Sequence, residues 1–342
     1  GRKRQLGIPT VVDRFIQQAI AQVVVERWEP HFHPDSYGFR PQRSAHQAVR
    51  AMQQQVKAGL AWVVDLDLES FFDRVNHDRM LSRLARHVPD VALLELIRRI
   101  VKAGAWVDGR AEPRQQGVPQ GGPLSPVLAN VVLDELDWEL ERRGRRFARY
   151  ADDCQIMVAS ARAGRRVMDS VTRLIEDSLR LTVNARKSAV DRPWNRKFLG
   201  FTLNRKTKGL QVATLAIDKL KDRIRELSCR TRGRHLGQII EELRQALLGW
   251  KAYFGITEVL SPLRELDKWV RRRLRCYQWK QWGRAGYREL RKRGVSVHDA
   301  WHVSKSAHGP WRISKTPALS LAMPVSYFNR LGLPSLVPTV PA

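Results

Sequence analysis

Two adjacent carboxylates, Asp152 and Asp153, stand between two short runs, 146–150 and 155–158, that alternate apolar with polar or small residues. That alternation predicts two strands and a tight turn, with both acids at the tip of a hairpin. Adjacent like charges repel, so the pair contributes nothing to stability; a divalent cation would remove the repulsion and keep both groups ionised. Carboxylate and phosphate oxygens together suit magnesium. An acidic turn is the competing reading, because Asp is common in turns. Residues 62–73 read as a strand that becomes carboxylate-rich at its end, with Asp65, Asp67, Glu69 and Asp73. Asp67 is the candidate third ligand there. The alternative is a capped strand-to-helix turn with Asp73 or Asp78 as N-cap. Asp67, Asp152 and Asp153, brought together by folding, would hold two magnesium ions suited to in-line nucleotidyl transfer: one activates a primer 3′-hydroxyl and both stabilise charge on phosphorus.

The elements around these acids are legible as periodicities. Pro9, Thr10 and Asp13 form a helix start, and Val12, Phe15, Ile16, Ala19, Ile20, Val23 and Val24 keep helical spacing to about Trp28. Residues 33–49 interleave aromatics, glycine and arginine before a helix from Ser44. Arg40 and Arg43 are candidates for phosphate there and Tyr37 or Phe39 for stacking on a base, the alternative being a packed loop with two solvated arginines. A helix pair is marked by Met80, Leu81, Leu84 and Val88, then, after a break at Pro89-Asp90, by Leu93, Leu94, Ile97, Ile100 and Val101. Asp108-Gly109 signals a hairpin. The loop 117–126, Gly-Val-Pro-Gln-Gly-Gly-Pro-Leu-Ser-Pro, opens a helix with Ser125 as expected N-cap and Pro126 at N1. A helix follows the hairpin, then a short strand at 181–183, a basic turn at 184–188 and a strand at 198–203. The pattern changes near residue 205, where a domain boundary is expected, and three amphipathic helices follow. The third carries Arg271, Arg272, Arg273, Arg275 and Lys280 among Trp269, Trp279 and Trp282, which reads as a nucleic-acid track or as a solvated face.

The chain has 342 residues, enough for two or three domains. Its 61 Lys and Arg against 34 Asp and Glu give a net charge of +27, the footprint of a polyanion-binding protein. No long apolar segment argues for a membrane. The three cysteines, Cys154, Cys229 and Cys276, are far apart, which excludes a Cys-x-x-Cys site and fits a reducing compartment. His298 and His302 sit at i, i+4 without the following Glu of a zinc protease and read as structural. The chain opens on Gly1 in mid-pattern, so residues upstream are expected.

Tyr150-Ala151-Asp152-Asp153 in a hairpin resembles the signature of reverse transcriptases, and the chain resembles the group II intron-encoded reverse transcriptase/maturase family almost end to end. The similar blocks are 6–10 with 17–19, 36–41, Asp67–Asp73 with Asn76-His77, 119–126, the Asp152 hairpin, 184–187 and 198–201. Residues 249–254 resemble the maturase X domain. The resemblance implies an α+β right-hand polymerase with fingers (1–61), a palm with an antiparallel sheet (62–204), an α-helical thumb/X domain (205–300) and a basic DNA-binding-like tail (301–342). It implies Asp67 and Asp152 as main metal ligands with Asp153 beside them and the Leu68 carbonyl as a further donor, for two Mg2+ ions or Mn2+. It places dNTP at Arg4, Ser70, Phe71, Phe72, Gln120, Gly121 and Lys187, with Phe72 as the gate against a 2′-hydroxyl. It implies a primer grip at Leu199 and Gly200, and nucleic-acid contacts at Trp250 and the basic residues named above.

The implied partners are RNA template–DNA primer duplex, dNTPs, group II intron RNA and target DNA, for a monomer or dimer in a bacterial cytoplasmic, nucleoid-associated ribonucleoprotein without membrane contact. The family's N-terminal extension and its finger lysine are not matched, nor is an HNH endonuclease, which resembles the bacterial class C branch. A splicing maturase without polymerase activity, a CRISPR-associated or domesticated reverse transcriptase and an RNA-packing protein are the alternatives.

Overall fold

The computed structural model describes residues 9–107, 110–112, 114–119 and 121–338. Arg4, Gln120 and the Asp108-Gly109 turn lie outside the described residues. The chain divides into two compact units, Gly1–Lys208 and Gly209–Ala342.

In the first unit the helices are α1 (Val11–Trp28), α2 (Ala45–Lys57), α3 (Phe71–Arg74), α4 (His77–Leu84), α5 (Val91–Lys102), α6 (Ser125–Arg142) and α7 (Ala161–Arg173). The strands are β1 (Trp62–Leu66), β2 (Ala105–Val107), β3 (Arg110–Glu112), β4 (Arg146–Tyr150), β5 (Asp153–Val158), β6 (Ala189–Asp191) and β7 (Phe201–Leu203). Four strands form one antiparallel sheet in the order β4-β5-β1-β6. β1 lies inside this sheet with Val63 and Val64 fully buried, which explains its continuous apolar run. Val64, Phe147, Ile156, Leu128 of α6 and Val171 of α7 share one core with Trp28 and Leu84.

Several local expectations changed on folding. Thr10 caps α1 by accepting from the Asp13 amide at 3.1 Å. The buried face of α1, however, is Gln17, Ile20, Ala21, Val24 and Trp28, while Val12, Phe15 and Val23 are exposed. The apolar set therefore spans two faces, and only one meets the core. Ser125 lies in the first turn of α6 instead of capping it, and its hydroxyl bonds the Pro119 carbonyl. Asn76, rather than Asp73 or Asp78, caps α4. The expected strand at 198–203 is broken: Leu199 and Gly200 both have positive φ and form a two-residue turn closed by Phe198 and Phe201.

The second unit contains β8 (Leu210–Val212), α8 (Thr214–Leu227), α9 (Leu236–Phe254), α10 (Ser261–Trp282), α11 (Gly286–Lys292), α12 (Val297–Lys305), α13 (Pro310–Ile313), α14 (Pro317–Ala322) and α15 (Val325–Arg330). Residues from the tail, among them Ile313, Leu319, Phe328 and Leu336, share one apolar core with Ile224, Leu243 and Leu274. Buried Asp267 of α10 accepts from the Ser335 hydroxyl and the Leu336 amide, fastening the end of the tail to the helix. No helix among the described residues is long and apolar enough to cross a membrane.

Candidate active site

β1 and β5 pair in antiparallel register up to Leu66 opposite Cys154. The next residues along are Asp67 on one strand and Asp153 on the other, so the register alone brings these two acids to one end of the sheet. On the other side of β5, Tyr150 pairs with Asp153, leaving Ala151 and Asp152 as the two-residue turn. The hairpin tip thus holds Asp152, while Asp153 begins the strand. Ala151 has φ +56°, a left-handed conformation that costs a non-glycine residue about 1–2 kcal/mol. Ser70, in the segment that follows Asp67, has φ +49°. Both acidic segments therefore carry local strain that the surrounding structure must hold.

A buried polar network does this at the hairpin. Arg149 is fully buried and donates to Asp137 of α6 at 2.7 Å, to Asn130 Oδ1 at 3.0 Å, to the Ala151 carbonyl at 2.9 Å and to Ser36 Oγ at 2.8 Å. Burial alone would drive its proton off, but the Asp137 carboxylate more than offsets this and holds the guanidinium charged. Asn130 donates in turn to the Gly38 carbonyl at 2.8 Å. Gly38 packs so closely on the turn that a Cβ there would come 2.3 Å from the Ala151 amide nitrogen, which explains the glycine.

Asp67 is fixed from the 184–188 turn. Its amide donates to Ser188 Oγ at 3.0 Å, its carbonyl accepts from the Asn184 amide at 2.8 Å, and Lys187 Nζ lies 3.2 Å from both carboxylate oxygens. Asp65, one turn of the pleat earlier, is tied to Arg196 at 2.6 Å. Desolvation, then Asp152, Asp65 and Asp67, push the Asp153 carboxyl up to about 6. These are oxygen donors carrying surplus negative charge, the donor chemistry of a hard divalent cation. Among the described residues no group of three or more His, Cys, Asp or Glu side chains is arranged to hold a metal ion, so the expected three-acid cluster of Asp67, Asp152 and Asp153 is not preformed and phosphate, carbonyl or water oxygens would have to supply part of any shell. The segment carrying Phe71 and Phe72 is held by the Gly117 loop. The Val118 amide donates to the Phe72 carbonyl at 2.6 Å, and the two rings meet edge to face at 5.2 Å.

Arg40, a phosphate candidate from sequence, is a correction. It is buried, paired with Glu29 at 2.8 Å, and donates to the His33 and Ser36 carbonyls. Its donors are spent on shaping the loop, and Tyr37, also buried with its hydroxyl on Asp35, is not available to stack on a base. Phe39 and Arg43 remain exposed. In the second unit the arginine run is likewise mostly structural. Arg272 stacks 4.0 Å from the Trp311 ring and donates to its carbonyl, Arg273 holds Ser228, and Arg275 donates to the Met323 carbonyl at 3.0 Å. Trp250 packs against the core beside Phe254. Arg271 and Lys280 make no hydrogen bond or ion pair among the described residues and stay candidates for phosphate. His298 and His302 are exposed, with their Nε2 atoms 3.0 Å apart.

A neighbouring acid is a measurable consequence of this packing. Desolvation and then Asp137 raise Asp134 from 3.8 to about 7, against the lowering pull of Arg149, the His33 amide and Arg83, and its Oδ1 has no partner. Between about pH 4 and 7 the folded chain keeps a proton that the unfolded chain releases, so stability falls as pH rises through this window and stays low above it. The full span would correspond to about 4 kcal/mol in a dry site, reduced to about 2 kcal/mol by water at its rim. Asp134→Asn is therefore expected to stabilise the protein by about 2 kcal/mol at pH 8 and by almost nothing at pH 4. Urea unfolding at the two pH values measures this, and an equal effect at both would place the proton elsewhere.

Residues 1–203 match the reverse transcriptase (RNA-dependent DNA polymerase) family. The chain belongs to that family. Residues 217–294 match the maturase-specific domain of group II introns. Protein YkfC of Escherichia coli (strain K12) is 32% identical over 228 residues, 56% of this chain and 60% of that protein. The group II intron-encoded protein LtrA of Lactococcus lactis subsp. cremoris is 38% identical over 136 residues, 40% of this chain and 22% of that one. The chain thus spans less than two thirds of the length of either relative. A solved telomerase from Candida tropicalis superposes with a TM-score of 0.50 at 11% identity, over 93% of this chain and 55% of that one, a likeness of fold alone. The fold is that of a right-hand polymerase, an antiparallel palm sheet with helices followed by a helical unit.

Proposed function

We propose that the chain is an RNA-directed DNA polymerase of the group II intron type, extending a primer 3′-hydroxyl with dNTPs on an RNA template. The observation that carries this reading is the meeting of Asp67 with the Asp152-Asp153 hairpin at one end of the sheet, where desolvation and then the neighbouring acids raise Asp153. Two magnesium ions held by Asp67, Asp152 and the Leu68 carbonyl would supply the Lewis acidity that activates the primer hydroxyl and balances the phosphates. The chain's own residues position the reactants. Lys187, now paired with Asp67 and largely exposed, can exchange that carboxylate for the leaving phosphates. The backbone of Ser70–Phe72 and Gly121 would line the nucleotide; Arg4 and Gln120, which lie outside the described residues, are assigned to it by the family resemblance alone. Leu199 and Gly200 present the backbone of their turn to the primer. RNA binding in splicing is the companion role, favoured by the maturase-specific match in the second unit.

Primer extension on an RNA template with a DNA primer tests the reading. Divalent-cation-dependent cDNA synthesis is expected. Tight RNA binding without any extension would leave the splicing role alone. Phe72 supplies a second test, because its half-buried ring meets Phe71 edge to face and its backbone carbonyl is held by the Val118 amide. Phe72→Val is expected to raise rNTP use relative to dNTP by about ten- to a hundredfold. Unchanged sugar selectivity would assign the gate to another residue.

A further inference from the structure

Between α10 and the α13 segment the second unit has an open cleft of about 600 Å³, within the size range of ligand pockets. Its lining includes Tyr277, Trp311, Cys229, Cys276 and two arginines, Arg273 and Arg312, and no acidic side chain. With two guanidinium groups and no carboxylate in its lining, the site carries a net positive charge that suits an anion. The two arginines differ in role. Arg273 is held in place by Ser228 Oγ and the Arg225 carbonyl. The exposed Arg312 side chain makes no hydrogen bond or ion pair among the described residues, so its five donors are available. Trp311 is 40% exposed although it lines the cavity, and Arg272 stacks 4.0 Å from its centroid, stiffening the indole as a platform. The Cys229 thiol at the wall is drawn below its ordinary value, chiefly by its hydrogen bonds with Thr231 and only secondarily by Arg273 and Arg232.

An aromatic platform beside one guanidinium with open donors, Arg312, and one fixed in place, Arg273, is a combination that holds a base and its phosphate. We propose that this cavity takes one unstacked nucleotide of a nucleic-acid single strand, with the base on Trp311 and the phosphate between Arg312 and Arg273. The inference rests on nucleic acid being the partner under the proposed function. It requires no polymerase turnover, so the two can fail separately. A duplex keeps its bases stacked and does not fit, whereas an unpaired template or intron RNA residue does.

Cys229 provides the reporter, because Cys154 and Cys276 are buried and it is exposed. The alkylation rate of Cys229 in the full chain is measured with iodoacetamide, alone and with oligo(rU), oligo(dT), a blunt RNA duplex of equal length, or inorganic phosphate. Single strands are expected to slow alkylation while the duplex and phosphate leave it unchanged. Trp311→Ala and Arg312→Gln, both at exposed positions, are each expected to raise the oligonucleotide concentration for half-protection about tenfold. Asp152→Asn is expected to leave it unchanged. Equal protection by duplex or by phosphate alone would reduce the cavity to a patch of charge, and undiminished protection in Trp311→Ala would remove the base from it. Absence of protection by either single strand would overturn the proposal outright.

Discussion

Asp152→Asn is expected to lower primer extension by at least about 10³-fold, because losing a catalytic metal ligand removes several kcal/mol of transition-state stabilisation. The substitution changes one oxygen to an amide and leaves the tip's backbone contacts intact: Ala151 still accepts from Arg149 and still packs on Gly38. Folding is not expected to suffer. Asp152 raises its neighbour Asp153 by like-charge repulsion, so removing the charge relieves the tip instead of weakening it. Template–primer affinity measured in EDTA is expected to stay within about twofold of the parent, because phosphate contacts to basic residues supply it. The decisive observation is the combination: melting temperature kept or raised, binding kept, extension lost. Near-normal extension by the variant would remove Asp152 from the reaction, and a lowered melting temperature would make the tip structural.

How much of this was legible follows from which signals are local. The Asp152 hairpin was legible because strand alternation and a short turn are local, and the meeting with Asp67 followed once β1 and β5 paired in register. The division of labour within the tip was not: Ala151 takes the left-handed turn position, so Asp153 begins the strand. The arginines were misread for a physical reason. Composition counts charges, but whether a guanidinium faces solvent depends on non-local partners. Arg40 found Glu29 and two carbonyls, and Arg275 found the Met323 carbonyl far along the chain. Arg149 carried a faint signal, a charged residue inside a strand that pairs on into the buried hairpin. Its partners Asp137, Asn130 and Ser36 come from three other stretches of sequence, and only the folded chain joins them.

Arg149→Met is the substitution with the largest expected effect on stability. Arg149 and Asp137 have side chains 1% and 0% exposed. Methionine fills much of the space but leaves the Asp137 carboxylate buried without its cation. Breaking one partner of a buried pair costs about 3–5 kcal/mol. The variant also orphans Ser36 Oγ, Asn130 Oδ1 and the Ala151 carbonyl, three acceptors that Arg149 now satisfies. Replacing both partners, Arg149→Met with Asp137→Leu, removes the stranded charge and is expected to recover about 2 kcal/mol or more of that loss. Activity is not expected to return with it. The left-handed turn at Ala151 is held through its carbonyl by Arg149, and the Gly38 segment is held through Asn130 and Ser36. Without that bracing the Asp152 side chain samples positions away from Asp67, and a displacement of about 1 Å is enough to cost about a hundredfold in rate. Denaturant unfolding of the two variants, run beside primer extension, separates the contributions. Stability and activity recovering together in the double variant would mean that the network only stabilises the fold, whereas recovered stability with lost extension makes Arg149 a positioning residue for the catalytic hairpin.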